Sequence, residues 1–309
     1  MASPQTSRRT FIRNSVLTAL APAAWAAPQS PANGFIDAHS HIWTPDTQRY
    51  PLAEGFSQEK MVPPSFTPDE LFAHCRPAGV IRVVLIQMSF YRFDNRYLLD
   101  MIASHPGVFS GVAVVDETAP DLRETMKRLA AAGVRGFRLS ANQARAEAWA
   151  TSSGMKAMWS YAADAGLAMC PLINPDTLPA LQRMCAQFPR TRVVIDHFAR
   201  VGVNRSTQPG DLDQLCRLAD FAHTHVKTSA FSVLGEKKAP YTDLGPMIRR
   251  LRDTFGAKRL MWATDCPFQV QKGHTYADSI ALIRDRLDFL RADDKAWMLR
   301  QTAEKVFFS

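Results

Sequence analysis

Cysteine is scarce in the 309-residue chain and never sits where chemistry would need it. Cys75, Cys170, Cys185, Cys216 and Cys266 are odd in number and form no C-x-x-C pair or zinc-like spacing, which excludes cysteine-built metal sites and C-x-x-C redox motifs. Cys170 lies in an apolar strand-like run, and Cys75, Cys185 and Cys216 lie in helix-like segments, so they read as buried apolar side chains rather than bridges. No G-x-G-x-x-G or G-x-x-x-x-G-K-[ST] is present, which removes the sequence signatures of dinucleotide and P-loop phosphate binding. Repeats, low-complexity tracts and clusters of basic and aromatic residues are absent too, so no nucleic-acid partner is expected. The apolar stretch from Val16 to Ala26 is too short to span a bilayer and implies no stable membrane anchor.

That stretch carries other information. Ser7-Arg8-Arg9-Thr10-Phe11-Ile12 precedes it and Ala24-Trp25-Ala26 closes it with a small-x-small cleavage pattern. The paired arginines resemble a bacterial twin-arginine export signal. Residues 1–27 are therefore expected to be an export segment read by the twin-arginine machinery, and the protein to be periplasmic or secreted. Residues 28–309 remain as one domain. The formal charge of +8 falls to +5 without Arg8, Arg9 and Arg13, which favours a small anionic substrate mildly.

From Phe35 onward, apolar β-branched runs alternate with amphipathic helical stretches. Strands are expected at 35–41, 80–87, 108–115, 134–139, 167–172, 193–197, 226–229 and 260–265, each followed by a helix. Thr67-Pro68-Asp69-Glu70 predicts a capped helix start, with Thr67 as N-cap, Pro68 at N1 and Glu70 closing the capping box. Eight β-α units predict a closed (β/α)8 TIM-like barrel, because closure removes sheet edges and buries near-continuous apolar strands. The long segment 42–66, rich in proline and aromatics, is expected to cover the strand ends as a lid.

Barrel sites form at the C-terminal strand ends. Strand 1 brings His39 and His41 there, two residues apart and so on one face. Gln87 ends strand 2, Arg138 strand 4, Asp196-His197 strand 6 and Asp265 strand 8. Closure sets strand 8 about 4.8 Å from strand 1 and so seats Asp265 beside the two histidines. Tyr50 and Asn174 join Arg138 and Gln87 as expected substrate-binding residues.

The segments DAHSHIW, DNRYLL, GFRLS, VVIDHFARVG, VKTSAF and MWATDCPF, in this order, resemble the amidohydrolase superfamily over residues 34–308. They are most similar to its amidohydrolase-2 branch, which includes 2-pyrone-4,6-dicarboxylate lactonase and sugar-acid lactonases. The resemblance implies a distorted barrel with His39, His41, His197 and Asp265 in the site. Metal-binding relatives add a histidine from strand 5, where this chain has none, so the expected enzyme needs no cofactor, with His39, His41 and Asp265 left as ligands for a single divalent ion such as zinc.

The expected reaction is lactone opening, with Asp265 as general base on water and His39, His41 and His197 donating hydrogen bonds to the carbonyl oxygen. Asp265 is expected to favour the protonated imidazoles. Ser232-Val233-Leu234 stands where carboxylate-binding relatives offer an arginine, and Cys266 replaces a tryptophan, which points to a monocarboxylate or sugar-acid lactone. The alternatives are a metal-dependent amidohydrolase or decarboxylase and, more remotely, a non-catalytic periplasmic binding barrel.

Overall fold

The computed structural model describes residues 1–2, 34–205 and 208–309, so the expected export segment, past its first two residues, lies outside the described residues. Eight short strands lie parallel and pair in sequence order: β1 (Phe35–Ser40), β2 (Val80–Ile86), β3 (Phe109–Ala113), β4 (Val134–Ser140), β5 (Ala168–Leu172), β6 (Arg192–Ile195), β7 (Thr224–Thr228) and β8 (Leu260–Trp262). The ring closes through a parallel bridge between Ser40 and Cys266. The Asp265 amide donates to the His39 carbonyl at 2.9 Å and the His41 amide to the Cys266 carbonyl at 2.7 Å. The fold is the expected (β/α)8 TIM-like barrel.

Asp37 fastens this seam. Its buried carboxylate accepts from the His39 amide (3.0 Å), the Thr264 amide (3.0 Å), the Thr264 hydroxyl (2.5 Å) and the Tyr276 hydroxyl (2.7 Å). Burial raises its pKa even so, with those four donors pulling the other way.

The helices are α1 (Pro68–Cys75), α2 (Arg96–Ser104), α3 (Leu122–Ala131), α4 (Gln143–Glu147), α5 (Ser153–Ala165), α6 (Leu178–Gln187), α7 (Pro209–Arg217), α8 (Gly245–Phe255), α9 (Tyr276–Ala281), α10 (Ala292–Ala296) and α11 (Thr302–Phe307). The capping box on α1 forms as the sequence predicts, with the Thr67 amide 2.6 Å from Glu70 Oε2. Short α4 was not expected, and its N-cap Asn142 accepts from the Arg145 amide at 3.0 Å. Among the described residues no helix is long and apolar enough to cross a membrane. All five cysteines are free and buried.

Two apolar clusters sandwich the strands. The larger joins strand residues such as Val83, Phe137 and Trp262 to the surrounding helices. The smaller fills the barrel interior with small side chains, among them Ala38, Ala168, Cys170 and Ala263, and with Phe307 from α11. Gly136 continues that pattern, since a Cβ there would stand 3.0 Å from both the Ala168 carbonyl and the Cys170 sulfur. Small interior residues leave the volume that the polar side chains of the site occupy. The segment 42–66 is pinned: Trp43 and Phe66 exchange backbone hydrogen bonds of 2.9 and 3.0 Å, and the buried Trp43 indole donates to the Pro63 carbonyl.

Candidate active site

A strict period of two would not place both histidines inward while Ile36 and Ala38 also pack inside. The β1–β2 register slips between Asp37 and Ser40, and this bulge resolves the conflict. His39 then meets the inward side chains of β4, β6 and β7, while His41 Nδ1 donates to the Ile86 carbonyl at 2.8 Å. Asp265, three residues past the end of β8, takes φ = +71°, a left-handed conformation that aspartate tolerates better than most residues.

Four consecutive non-glycine residues after β6, His197 to Arg200, have φ between +52° and +58°. Each such residue costs about 1–2 kcal/mol. Phe198 and Ala199 are fully buried, and their packing offsets that strain. The turn sets His197 below the barrel mouth, with its Nδ1 donating to the Ser229 hydroxyl at 2.8 Å. Ser229 in turn donates to the Lys227 carbonyl.

Asp265 Oδ1 lies 3.4 Å from His39 Nε2, 3.3 Å from His41 Nε2 and 3.7 Å from His197 Nε2. The partners on the far side of the His41 and His197 rings assign their tautomers. His41 and His197 spend their Nδ1 protons on Ile86 and Ser229. His39 Nδ1 lies 3.2 Å from both Asp196 Oδ1 and Lys227 Nζ, and its Nε2 3.3 Å from both Arg138 Nη1 and His41 Nε2. Three imidazole Nε2 atoms and a carboxylate oxygen therefore meet at one spot.

The surroundings of His39 and His197 run against the expectation of protonated imidazoles. Burial, followed by Lys227, His41 and Arg138, holds His39 well below the usual histidine range. Burial likewise takes His197 down to about 3, outweighing the opposing pull of Asp265. The Asp265 carboxyl is depressed: burial pushes it up, but His197, His41 and Arg138 together pull it further down. Arg138 is a cation whatever the rings carry.

A cavity of about 950 Å³ opens above this cluster, and His41, His197, Asp265, Arg138 and Gln87 are in its lining. Of the expected site residues, His39, Tyr50 and Asn174 are not: His39 lies fully buried just beneath the lining, against Asp265 and Arg138. Tyr50 turns away to meet Tyr97 edge-on and donate to Asp100 Oδ2 at 2.6 Å, and Asn174 lies behind the lining, its Oδ1 accepting from the lining residue Arg200 at 3.4 Å. Gln87 faces the cavity, but its amide is spent on the Arg92 and Asp94 carbonyls, so it shapes a loop. Phe56 is the part of segment 42–66 that reaches the cavity.

Sequence inspection missed Lys227. Fully buried on β7, it lies 3.0 Å from Asp196 Oδ1 and 3.2 Å from His39 Nδ1. A lysine within VKTSAF gives no sign that it faces inward until the strand's pairing is known.

His39, His41 and Asp265 offer donor atoms that all lie within 4.8 Å of one another. Two imidazoles and one carboxylate converging in this way fit a single divalent ion with an open position, with Arg138 as a competitor for His39 Nε2. Asp196 behind His39 is the carboxylate–histidine support such sites use. Strand β5 contributes no histidine as a further ligand.

The family model described as "Amidohydrolase" matches residues 36–308. The chain is 29% identical to an L-fucono-1,5-lactonase from Burkholderia ambifaria over 251 residues, covering 77% of this chain and 82% of that one. It is 26% identical to a 2-pyrone-4,6-dicarboxylate hydrolase from Comamonas testosteroni, covering 80% of this chain and 81% of that one. Among solved structures, an amidohydrolase from Burkholderia multivorans with bound zinc superposes with a TM-score of 0.76 at 20% identity, covering 89% of this chain and 99% of that one.

Proposed function

The chain belongs to the amidohydrolase family and is an enzyme of hydrolase type, and from that premise we propose that it opens the lactone ring of a carboxylated or sugar-acid substrate. The observation that carries this proposal is the Asp265 carboxylate set among the imidazoles of His39, His41 and His197, with Arg138 beside them, at the barrel mouth.

In the proposed mechanism a water molecule donates one proton to Asp265 and rests its other on an imidazole Nε2. Its oxygen adds to the lactone carbonyl carbon. Negative charge develops on the carbonyl oxygen, and Arg138, which lines the cavity beside His39, stabilises it. The ring C–O bond then breaks, and the departing alkoxide takes the proton held by Asp265. The product is a hydroxy acid whose new carboxylate faces Arg138. His41 and His197, with their Nδ1 atoms engaged by Ile86 and Ser229, turn Nε2 toward the water and orient it. The exposed Arg92 and Arg200, both in the cavity lining, are placed to meet a carboxylate on the substrate. The twin-arginine-type pattern at Arg8-Arg9 supports a periplasmic or secreted enzyme.

His39, His41 and Asp265 would hold a divalent ion, which when bound polarises a carbonyl and acidifies water. Because Arg138 competes for His39 Nε2, that ion is expected to be weakly held and dispensable. Elemental analysis should find well under one equivalent. Turnover of a lactone panel should change less than about threefold after chelator dialysis, far short of the several kcal/mol a required Lewis acid supplies. Complete loss on chelation, restored by zinc, would overturn the cofactor-free mechanism. A panel in which no lactone opens, with or without metal, would overturn lactonase activity itself.

The pH profile has a defined sign. Asp265 works as its anion, and its depressed pKa keeps that form available throughout the neutral range. Activity is therefore complete above the ordinary carboxylate range and is lost only as pH falls through the lowered Asp265 pKa. His197 titrates at about 3 and adds no limb near neutrality. None of Asp265, His39 and His197 should then add a limb to log(kcat/KM) between about pH 5 and 8, the interval in which an unperturbed histidine changes charge. An inflection near 6.5 would show that a histidine of the site titrates there.

A further inference from the structure

The cavity is not uniformly polar. In the sector above β3, β4 and β5 its wall is made by Val114, Val115, Trp149, Met155, Met158 and Leu172. These residues are held firmly. Ser152 caps α5 by accepting from the Met155 amide at 3.2 Å, which fixes Met155 on the first turn, and Met158 follows on the same face. Gly154 lets that helix start press on the loop after β3, since a Cβ there would come within 1.7 Å of the Glu117 carbonyl oxygen. Two charged side chains of this sector, Glu117 and Arg145, neutralise each other at 2.6 Å, and Arg138 and Ser140 on β4 bound it on the side of the catalytic cluster. Gln87, at its edge, has spent its amide on the loop below. A sugar-acid lactone would bring several hydroxyls against this wall and leave them without partners, whereas an apolar group would remove both surfaces from water.

We infer that this sector is a recess for an apolar alkyl or aryl substituent, so that of the two lactone classes proposed above the substrate is a lactone with a hydrophobic body and not a polyhydroxylated sugar-acid lactone. The inference rests on the lactonase proposal for the reaction but not for the recess, which can be tested by binding alone. A cavity of about 950 Å³ is ample for such a ligand.

The experiment uses the full protein and two matched lactone–product pairs: dihydrocoumarin with 3-(2-hydroxyphenyl)propanoate, and glucono-1,5-lactone with gluconate. Calorimetric titration of the two products should show the aryl acid binding at least tenfold more tightly. Met158→Gln, which keeps length but adds a polar amide, should remove most of that preference, while Met158→Leu should retain it. If Met158→Gln fails to fold, Val115→Thr at nearly constant volume should lower the ratio in the same direction. Turnover should favour dihydrocoumarin in kcat/KM, with the variants acting mainly through KM. Gluconate binding equally or more tightly, or a ratio unmoved by the polar substitutions, overturns the recess whatever the turnover. If neither lactone opens while the binding preference holds and Met158→Gln erases it, the recess stands and the lactonase proposal falls.

Discussion

Asp265→Asn is expected to lower kcat for lactone opening by about 10²- to 10⁴-fold, the range that loss of a positioned general base produces, while KM changes little. The substitution keeps the shape of the side chain and removes its ability to take a proton. The fold should not suffer. The seam between β8 and β1 depends on the Asp265 backbone amide and on Asp37, Thr264 and Tyr276, and none of these contacts uses the Asp265 carboxylate. An asparagine amide would also supply two donors to the His41 and His197 Nε2 atoms that face it, so the melting temperature should hold or rise. Steady-state kinetics beside a thermal melt separates the outcomes. Full turnover by a folded Asp265→Asn protein would remove Asp265 as the base. Loss of turnover with collapse of the melt would mean that the carboxylate has a structural role that the geometry does not show.

How much of this arrangement was legible in the sequence differs from element to element. The barrel was legible because strand and helix periodicities alternate cleanly and because Thr67, Pro68 and Glu70 carry their own local physics. The proximity of Asp265 to His39 and His41 followed from closure. The charge state of His39 and His197 was misjudged because only the nearest carboxylate entered the balance. Burial, Lys227 and Arg138 are properties of the assembled interior, and they win. The left-handed turn from His197 to Arg200 contains no glycine, so nothing in its composition announces it. Tyr50 and Asn174 lie in segments whose direction is set by packing, Tyr50 against Tyr97 and Asn174 beside Arg200. The bulge in β1 is invisible for the same reason: it arises from pairing with β2, and without it an alternating strand could not turn Ala38 and His39 both inward.

The largest effect on stability should come from Lys227→Met. The lysine ammonium and the Asp196 carboxylate are both fully buried and 3.0 Å apart, and the lysine also lies 5.5 Å from the Phe307 ring centroid. Methionine matches the lysine stem and fits an apolar interior, so little packing is lost. What remains is a buried carboxylate whose second oxygen already lacks a hydrogen-bond partner among the described residues, with Arg138 no nearer than 3.9 Å. Removing one member of a buried pair costs about 3–5 kcal/mol because the other charge stays uncompensated. At about 2–4 °C per kcal/mol for a domain of this size class, the melting temperature should fall by roughly 10 °C. Charge and packing are then separated by Asp196→Asn in the same chain. If the uncompensated carboxylate causes the loss, the double variant should recover most of it, since neutralising both partners of a buried pair is often nearly neutral for stability. If the two losses simply add, the lysine acts through its shape and not its charge, and the buried pair is not what holds His39 against the inner wall of the barrel.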